Sequence, residues 1–375
     1  MSVTETLAEL VAIDSTSSRS NSEIIDHLSA LTEALGFRVR RLPYMDDLGV
    51  EKVNLIAIAG TDSDSNEVEL ALVGHTDTVP FDSTWIEALK LTERDGNLYG
   101  RGACDTKAFI AAALSATEVI DLEKLKRPLA LVLTADEEIG CLGAKRLADA
   151  KAVHPRYSIV GEPTSLQPIR AGKGYCLAEI TLRGREGHSA YPALGSSAIF
   201  RGARLVNRIE QIAEQLQADQ RAAFEPPHTT LNVGLINGGT AKNIIAGECR
   251  FTLEWRPVPG QSPDHVLNLV RGAIEDERAS DNDFDCSIDV TRLDQGMETR
   301  PDSKLVLMLE EATGQKSGTI AFGTEAPQMA ELGAEAVVFG PGNIRVAHRT
   351  GEFVPVRELL ECQAILTRAI EHFCM

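Results

Sequence analysis

The side chains most capable of chemistry first occur at residues 74–80, Gly-His-Thr-Asp-Thr-Val-Pro. They follow residues 67–73, a short apolar run typical of a buried strand. Alternate residues of a strand share one side, so His75 and Asp77 can act together. We expect His75 to bind a metal ion and Asp77 to fix its imidazole from behind. A single pair of this kind is more often structural, so the hypothesis depends on what recurs along the chain.

Further acidic groups and a second histidine occur in similar settings. Four of them follow a strand-like apolar run: Glu137, Glu138, Glu162 and His348. The fifth, Asp105, precedes an apolar helical run. In open α/β sheets, ligands bind beyond the carboxyl ends of the strands. If these strands share a sheet, the groups converge on one rim.

The elements that must position these groups alternate between strands and helices. Helices are predicted at residues 22–35 and 142–150 and after Asp105. Strands are predicted at residues 37–42, 54–59, 67–73, 129–133, 158–160 and 336–339, with a polar turn at 61–66. Such alternation indicates an α/β fold whose mainly parallel sheet is covered on both faces.

The pattern changes after residues 172–174, Gly-Lys-Gly. The next segment, up to about residue 290, has the order β-α-β-β-α-β, which is that of the ferredoxin-like split unit. Helices resume at residues 303–312 and 357–372. We therefore predict a catalytic metal-binding domain made of residues 1–172 and 292–375, with a smaller ferredoxin-like α+β domain inserted at residues 173–291.

Composition excludes several functional classes. A chain of 375 residues is long enough for two domains, and its net charge of -18 argues against nucleic-acid or anionic membrane partners. No apolar run reaches the ~20 residues of a membrane span, and the first residues lack a signal-peptide pattern. The seven cysteines are scattered without a Cys-x-x-Cys pair, as in reduced proteins. We expect a cytoplasmic location.

Counting the candidate ligands favours two metal ions. Two imidazoles and three carboxylates exceed the three protein ligands that a catalytic zinc usually takes. They suit two ions ~3.5–4 Å apart that share a carboxylate and activate water for hydrolysis. Nitrogen and oxygen ligands fit zinc, cobalt or manganese. Of the adjacent Glu137 and Glu138, one can bind a metal ion while the other acts as general base.

These segments together resemble the dizinc aminoacylase and carboxypeptidase family, which includes acetylornithine deacetylase and succinyl-diaminopimelate desuccinylase. The similarity spans nearly the whole chain. It is carried by residues 74–80 and by GRGACDTK at 100–107, DEE at 136–138, GEPT at 161–164 and GHSA at 187–190. The acetylornithine deacetylase branch is the most similar, through residues 161–168, 256–260, 323–327 and 340–342.

The resemblance implies a division of the metal ligands. His75 and Glu162 would hold one ion, Glu138 and His348 the other, and Asp105 would bridge the two. The implied ions are divalent, with zinc expected and cobalt able to substitute. Where close relatives often have Ala-Asp-Met-Lys-Gly, residues 104–108 are Cys-Asp-Thr-Lys-Ala, which preserves the aspartate. The cysteine of this segment is either an extra soft ligand or a small packed residue.

The resemblance also implies the catalytic roles. Asp77 would support His75, and Glu137 would be the general base. His188 would donate to the tetrahedral oxyanion. It would reach the active site of a partner subunit in a homodimer joined through the inserted domains.

Substrate contacts are predicted at three positions. An acyl amino acid carries an α-carboxylate, for which Arg256 is the candidate guanidinium and Asn243 a neutral donor. Glu325 would receive the side-chain ammonium of ornithine. The departure from the family pattern at residues 191–193 leaves substrate choice more open.

The function implied by the resemblance is metal-dependent deacetylation of N2-acetyl-L-ornithine to L-ornithine and acetate, in arginine biosynthesis. An N-acetylcitrulline deacetylase and a broader N-acyl-amino-acid deacylase or dipeptidase are the enzymatic alternatives. A non-catalytic metal-binding scaffold is the alternative from another class. The full ligand set together with Glu137 argues against a scaffold, which needs neither.

Overall fold

The computed structural model describes residues 2–60 and 65–375, so residues 61–64 of the predicted polar turn lie outside it. The α-helices of the described residues, α1 to α9 in chain order, are Val3–Ala12, Ser22–Ala34, Lys107–Glu118, Leu142–Asp149, Ala198–Leu216, Asp264–Ser280, Lys304–Thr313, Ala326–Glu331 and Val356–Cys374.

The strands of the described residues, β1 to β18 in chain order, are Arg38–Met45, Glu51–Ala59, Glu67–His75, Thr92–Arg94, Asn97–Tyr99, Leu129–Thr134, His154–Val160, Ile169–Gly172, Tyr175–Arg183, Gly187–His188, Thr230–Gly238, Ile244–Ile245, Glu248–Arg256, Asp285–Asp294, Met297–Glu298, Gly318–Ile320, Glu335–Val338 and Phe353–Pro355. Most predicted elements are present with ends shifted by a few residues. The helix at residues 3–12 was not expected.

These elements form two compact units, each with its own hydrophobic core. The first comprises residues 1–170, 299–318 and 324–375, and the second comprises 171–298 and 319–323. The predicted return to the first domain at residue 292 is too early, because β14 continues pairing with β9 as far as Asp294. The predicted boundary at residue 172 lies two residues late.

The first unit is built on a mixed sheet with the order β1-β2-β6-β3-β7-β17-β8. The four central strands, β6, β3, β7 and β17, are parallel, whereas β1, β2 and β8 pair antiparallel with their neighbours. Strand β6 is buried along its whole length, as expected for a strand covered on both faces. The prediction of an α/β fold with a parallel central sheet is confirmed.

The order of the central strands decides where the candidate ligands lie. Strands β6, β3 and β7 are neighbours, and His75 at the end of β3 pairs with Thr134 at the end of β6. Val73 pairs with Val160 at the end of β7. The segments that follow these strands therefore leave the sheet at the same edge.

The second unit contains a four-stranded antiparallel sheet with the order β11-β13-β9-β14. Helices α5 and α6 contact each other and pack on this sheet. Strand β9 alternates buried and half-buried residues, the pattern of a sheet with one face in a core. The element order and strand order are those of the ferredoxin-like unit predicted from the sequence.

No helix in the described part of the chain has the length and apolar character needed to cross a bilayer. None of the cysteines, all of which are described, forms a disulfide.

Candidate dinuclear metal centre and active site

The candidate ligands come together in the first unit at the edge where the parallel strands end. His75 is the last residue of β3, Glu138 follows β6, and Glu162 follows β7. Asp105 precedes α3, and His348 lies in the segment between β17 and β18. The convergence on one rim predicted from their sequence positions is what the structure shows.

One group of ligands is formed by His75, Asp105 and Glu162, which are all buried. His75 Nε2 lies 3.0 Å from Asp105 Oδ1. One candidate ligand atom from each of the three side chains lies within 4.8 Å of the other two. The group therefore offers one nitrogen and two oxygens to a common point.

A second group is formed by Asp105, Glu138 and His348. His348 Nε2 lies 3.1 Å from Asp105 Oδ2 and 3.0 Å from Glu138 Oε2. Asp105 thus faces the first group with one carboxylate oxygen and the second group with the other. This is the arrangement that a bridging carboxylate requires.

The electrostatics of the cluster show an excess of negative charge. Burial, with the nearby charges of Asp105 and Glu137, holds the pKa of Glu162 well above its usual range. Hydrogen bonds to Asp105 and Glu138 raise the pKa of His348 to about 10. The carboxylates therefore attract positive charge strongly, and protons take that place when no cation is bound.

Asp77 organises the site in a way that differs in detail from the prediction. His75 Nδ1 contacts the main-chain oxygen of Asp77 at 3.0 Å, whereas the carboxylate oxygen Oδ1 is 3.6 Å away. The longer distance exceeds that of a hydrogen bond, so the Asp77 side chain does not hydrogen-bond to His75. The carboxylate instead accepts hydrogen bonds from the main-chain N–H groups of Glu137 and Glu138, at 3.1 and 3.3 Å.

Glu137 is half-buried and belongs to neither ligand group. Its Oε1 accepts a hydrogen bond from Cys141 Sγ at 3.4 Å. Burial raises the pKa of Glu137 to about 8. The structure therefore separates the two adjacent glutamates, one in a ligand group and the other beside it, as a metal ligand and a general base would be.

A family model described as peptidase family M20/M25/M40 matches residues 71–372. Acetylornithine deacetylase from Myxococcus xanthus is 56% identical to this chain over 370 residues, which are 98% of this chain and 97% of that protein. The chain belongs to peptidase family M20/M25/M40. Acetylornithine deacetylase from Salmonella paratyphi B is 37% identical over 363 residues, covering 95% of this chain and 92% of that protein. The resemblance found in the sequence is confirmed.

Solved structures agree with this membership. A tripeptidase from Staphylococcus aureus matches with a TM-score of 0.76 and 25% identity, covering 97% of this chain and 96% of that one. An M20 family metallo-carboxypeptidase from Sulfolobus solfataricus matches with a TM-score of 0.77 and 18% identity, covering 100% and 99% of the two chains. At 18% identity, the match to the Sulfolobus solfataricus structure shows a shared fold.

The donor set of this M20/M25/M40 family member fits two divalent cations. Each group supplies one imidazole and two carboxylates when Asp105 is counted in both. The ligand-atom separations of 3.0–3.1 Å within the groups are near the ~3.3 Å expected between ligands held ~2.0 Å from one zinc ion. Glu138 Oε1 is buried without a hydrogen-bond partner among the described residues. A cation would satisfy that oxygen.

Cys104 lies in neither ligand group of the described residues. Its Sγ is buried and lies 3.6 Å from the main-chain oxygen of Asn343. Burial raises the pKa of its thiol well above the usual range, which disfavours the thiolate that a metal ligand needs. Of the two interpretations of this cysteine, the structure favours the small packed residue.

His188 and Asn243 lie next to each other in the second unit. His188 is in the short strand β10 and pairs with Ile244 of β12. Ser189 N donates to the main-chain oxygen of Asn243 at 3.1 Å. Ala190 N donates to His188 Nδ1 at 3.1 Å, so a neutral His188 carries its proton on Nε2. That nitrogen is a donor, as an oxyanion contact requires.

Arg256 ends β13 in the second unit and is already engaged within that unit. Its Nε lies 2.7 Å from Glu254 Oε1, and its NH1 donates to the main-chain oxygen of Ala321 at 2.7 Å. The guanidinium also lies over the ring of Tyr175, 4.3 Å from the ring centroid. A role in holding the substrate carboxylate stays a prediction for Arg256 and Asn243.

Glu325 immediately precedes α8 in the first unit and is 1% exposed. Neither of its carboxylate oxygens has a hydrogen-bond partner of normal geometry among the described residues, although the Thr134 hydroxyl is close enough to lower its pKa. Burial outweighs that contact and raises the pKa of Glu325 to about 7. A buried carboxylate without a partner is costly unless a cation or donor joins it.

Sequence reasoning missed the residues that hold Asp105, the aspartate shared by the two candidate groups. Glu352 Oε1 accepts hydrogen bonds from the main-chain N–H groups of Cys104 and Asp105, at 2.9 and 3.0 Å. Its other oxygen pairs with Arg101 NH1 at 2.5 Å, and both side chains are buried. The Gly-Arg-Gly and Gly-Glu-Phe segments that contain them were visible, but nothing in the sequence joins positions so far apart.

Proposed function

We propose that the protein hydrolyses N2-acetyl-L-ornithine to L-ornithine and acetate, with zinc as its metal. The observation that carries the proposal is the pair of ligand groups joined through Asp105, in a chain that is 56% identical over nearly its full length to an acetylornithine deacetylase. In arginine biosynthesis this reaction releases ornithine from its acetylated form.

His75 and Glu162 would hold one ion, Glu138 and His348 the other, and Asp105 both. Two bound cations would polarise the amide carbonyl and activate water as the nucleophile. The protein contributes a fixed ligand frame, because Glu352 holds Asp105 and Asp77 holds both His75 and the turn at residues 137–138.

Glu137 moves the proton. Its Oε1 accepts from Cys141, so we assign Oε2 to take the proton from water and pass it to the leaving amine. A bond forms between the carbonyl carbon and the water oxygen, and the carbon–nitrogen bond breaks. The proton that Glu137 transfers to the amide nitrogen allows ornithine to leave as an amine, and acetate is the other product.

A panel of Nα-acyl amino acids tests the proposal. Purified protein loaded with zinc or cobalt should turn over acetylornithine with the highest kcat/KM, ahead of acetylcitrulline, other acetyl amino acids and dipeptides. A higher kcat/KM for acetylcitrulline would assign the citrulline reaction instead. Bound metal with no turnover on any member of the panel would favour the non-catalytic scaffold.

Glu325 is the proposed partner of the substrate's side-chain ammonium, since neither oxygen of its buried carboxylate has a hydrogen-bond partner in the part of the chain that the structure describes. Glu325→Gln should lower kcat/KM for acetylornithine by about 10–100-fold, the worth of a hydrogen bond to a charged group. The rate on acetylcitrulline, which has no such charge, should change little. Glu335→Gln, which changes an exposed carboxylate at the start of β17, is the matched control. An unchanged preference between the two substrates would remove Glu325 from substrate recognition.

A homodimer through the second unit is the proposed assembly. Strand β11 lies at the edge of its sheet, and an edge strand leaves hydrogen-bonding groups free to pair with another chain. Large apolar side chains on β11 and α5 are exposed, including Leu235 at 65% and Phe200 at 73%. Exposed apolar patches of this kind are typical of association surfaces.

His188 is proposed to donate from one subunit to the oxyanion in the other. His188→Ala should fold and bind two metal ions but turn over about 10²–10³-fold more slowly, the cost of one lost oxyanion donor. Exchanging its subunits with those of Glu137→Gln should restore activity. An equal mixture should reach about a quarter of the wild-type rate, because half the dimers are mixed and each has one intact site.

The control for that experiment is proof of mixing, by mass spectrometry of differently tagged subunits. A mixture that contains mixed dimers and stays as slow as its parents would show that His188 does not act across the dimer. The cytoplasmic location expected from the cysteine content stays a prediction.

A further inference from the structure

Lys52 is a buried lysine of β2 that the proposed reaction does not use. It is 1% exposed, and its Nζ lies 2.8 Å from Asp136 Oδ1. The same nitrogen donates to the main-chain oxygens of Ser17 and Arg19, the latter at 2.8 Å. Two of the ammonium's three donors are thus hydrogen-bonded to main-chain oxygens, and the ion pair with Asp136 adds a third close contact. The buried ammonium therefore ties together the main chain at Ser17 and Arg19 and the side chain of Asp136.

The ion-pair partner, Asp136, begins the turn that carries the two catalytic-site glutamates. Its φ is 59°, which is in the left-handed region that non-glycine residues rarely adopt. Besides Lys52, its carboxylate accepts a hydrogen bond from the Tyr44 hydroxyl at 2.8 Å. The side chain of Asp136 therefore anchors an uncommon backbone conformation directly before Glu137.

The next contacts close a ring. The Ser17 hydroxyl donates to Asp77 Oδ2 at 2.8 Å. The Asp77 carboxylate accepts hydrogen bonds from the main-chain N–H groups of Glu137 and Glu138. The main-chain oxygen of Ser17 also accepts a hydrogen bond from the Lys52 ammonium. Hydrogen bonds and covalent links thus run from Lys52 through Ser17 and Asp77 to the 136–138 turn and back to Lys52.

This ring connects the two ligand groups. Asp77 holds His75 through its main-chain oxygen, and His75 belongs to the first group. The turn held by Asp77 and Asp136 carries Glu138, which belongs to the second group. The spacing between the groups therefore depends on both ends of the ring, and Lys52 contacts both.

We infer that Lys52 is a positioning residue that holds the 136–138 turn against Asp77 and so sets the geometry of both metal sites and of the proposed base. This inference deepens the proposed function and rests on it for the role of Glu137. Lys52 belongs to neither ligand group, so its effect on them passes through its contacts, of which Asp136 and Ser17 lead to the 136–138 turn and to Asp77.

Lys52→Met tests the inference, since methionine fills similar space without the three donors. Partners of metal ligands typically contribute about 10–100-fold to metal affinity or activity. We expect kcat to fall by about that factor, with KM within about threefold of wild type. We also expect the affinity of metal-free protein for Zn²⁺, measured by titration against a chromophoric chelator, to fall about 10–100-fold.

Removing only the cation leaves a buried carboxylate unpaired, which is strongly destabilising. The double variant Lys52→Met/Asp136→Asn removes both charges and should recover most of the lost melting temperature. It should not recover kcat or zinc affinity, because the turn is still unanchored. Ser17→Ala breaks the ring by removing an uncharged donor to the Asp77 carboxylate, and should lower zinc affinity about tenfold while remaining folded.

The matched control is Arg201→Met/Asp281→Asn in the second unit. Arg201 is largely buried and makes two hydrogen bonds of 2.9 Å to Asp281, so its loss tests the removal of a comparable ion pair. It should lower the melting temperature and leave kcat and zinc affinity within about twofold of wild type.

The inference is overturned if the folded Lys52 variants or Ser17→Ala lose melting temperature yet keep kcat and zinc affinity within about twofold of wild type. That result would make the ring a stability element only. The zinc titration needs no substrate. If wild-type protein hydrolyses no acyl amino acid, the proposed function fails while the titration still decides the role of Lys52.

Discussion

Exhaustive chelation should reduce hydrolysis of acetylornithine to background, and zinc or cobalt should restore it. The loss should exceed about 10³-fold, since activating water for attack on an amide is the contribution that metal ions make to such sites. The measurement is the initial rate of metal-free protein, with metal content verified by elemental analysis, before and after titration with each ion.

The physical reason for this dependence lies in the charges of the cluster. Three buried or half-buried carboxylates and Glu137 face only two imidazoles, and burial raises the pKa of Glu162 and Glu138. An arrangement of like charges this close is unfavourable unless cations or protons neutralise it. Metal binding should therefore also raise the melting temperature, because a ligand that binds the folded state stabilises it.

The double replacement Arg201→Met/Asp281→Asn, which leaves every ligand intact, should respond to chelation and to added metal as the wild type does. Magnesium is a useful second control, because nitrogen ligands suit it poorly. Full turnover by protein shown to contain no metal would contradict the dinuclear site. If the full rate returned after one metal ion per chain had been added, a single ion would be sufficient for catalysis.

The sequence predicted which side chains come together in the two candidate ligand groups, for a structural reason. His75 ends β3, and Glu138 and Glu162 follow β6 and β7, which are the neighbours of β3 in the sheet, so strand order brings these candidate ligands together. His348 lies ten residues beyond the end of β17, so the strand pattern pointed to it less directly. The strand pattern was therefore enough to predict that these candidate ligands converge.

The supporting residues could not be predicted in the same way. Glu352 reaches Asp105 across 247 positions, and Ser17 reaches Asp77 across 60. Single buried polar residues have no periodicity, and their partners depend on how elements pack. Asp77 shows the same limit on a smaller scale, because the sequence cannot tell whether its carboxylate or its main-chain oxygen holds His75.

The missed helix α1 is a different kind of error, because its pattern was present. Ser2 and Glu5 form a capping box, in which the serine hydroxyl and the glutamate carboxylate each accept a main-chain N–H. Leu7, Leu10 and Val11 follow at helical spacing and are fully buried. This helix contacts α3 and α9, so it contributes to the core beneath the site.

Glu137→Gln should lower kcat by roughly 10²–10⁴-fold, the range for a positioned acid–base group. Glutamine keeps the shape of the side chain and can still accept the Cys141 hydrogen bond, but it cannot take a proton from water. KM and the metal content should stay close to wild type, because Glu137 lies outside both ligand groups. The measurements are steady-state kinetics with acetylornithine and metal analysis of the same preparation.

The adjacent residue provides the matched comparison. Glu138 contacts His348 Nε2 and has one oxygen without a partner among the described residues, as expected for a metal ligand. Glu138→Gln should therefore lose affinity for one metal ion, and added zinc should recover part of its rate. Added zinc should leave the rate of Glu137→Gln unchanged, because its metal sites are already complete.

The two variants together decide the roles, because the same chemical change is made at neighbouring positions of one turn. Both side chains follow the same strand, and their main-chain N–H groups bind the same carboxylate, so general disturbance of the turn should affect them alike. A difference between them must come from where each carboxylate points. If Glu137→Gln loses a metal ion while Glu138→Gln keeps two, then Glu137 is the ligand, Glu138 is the base, and the assignments made from the two ligand groups are exchanged.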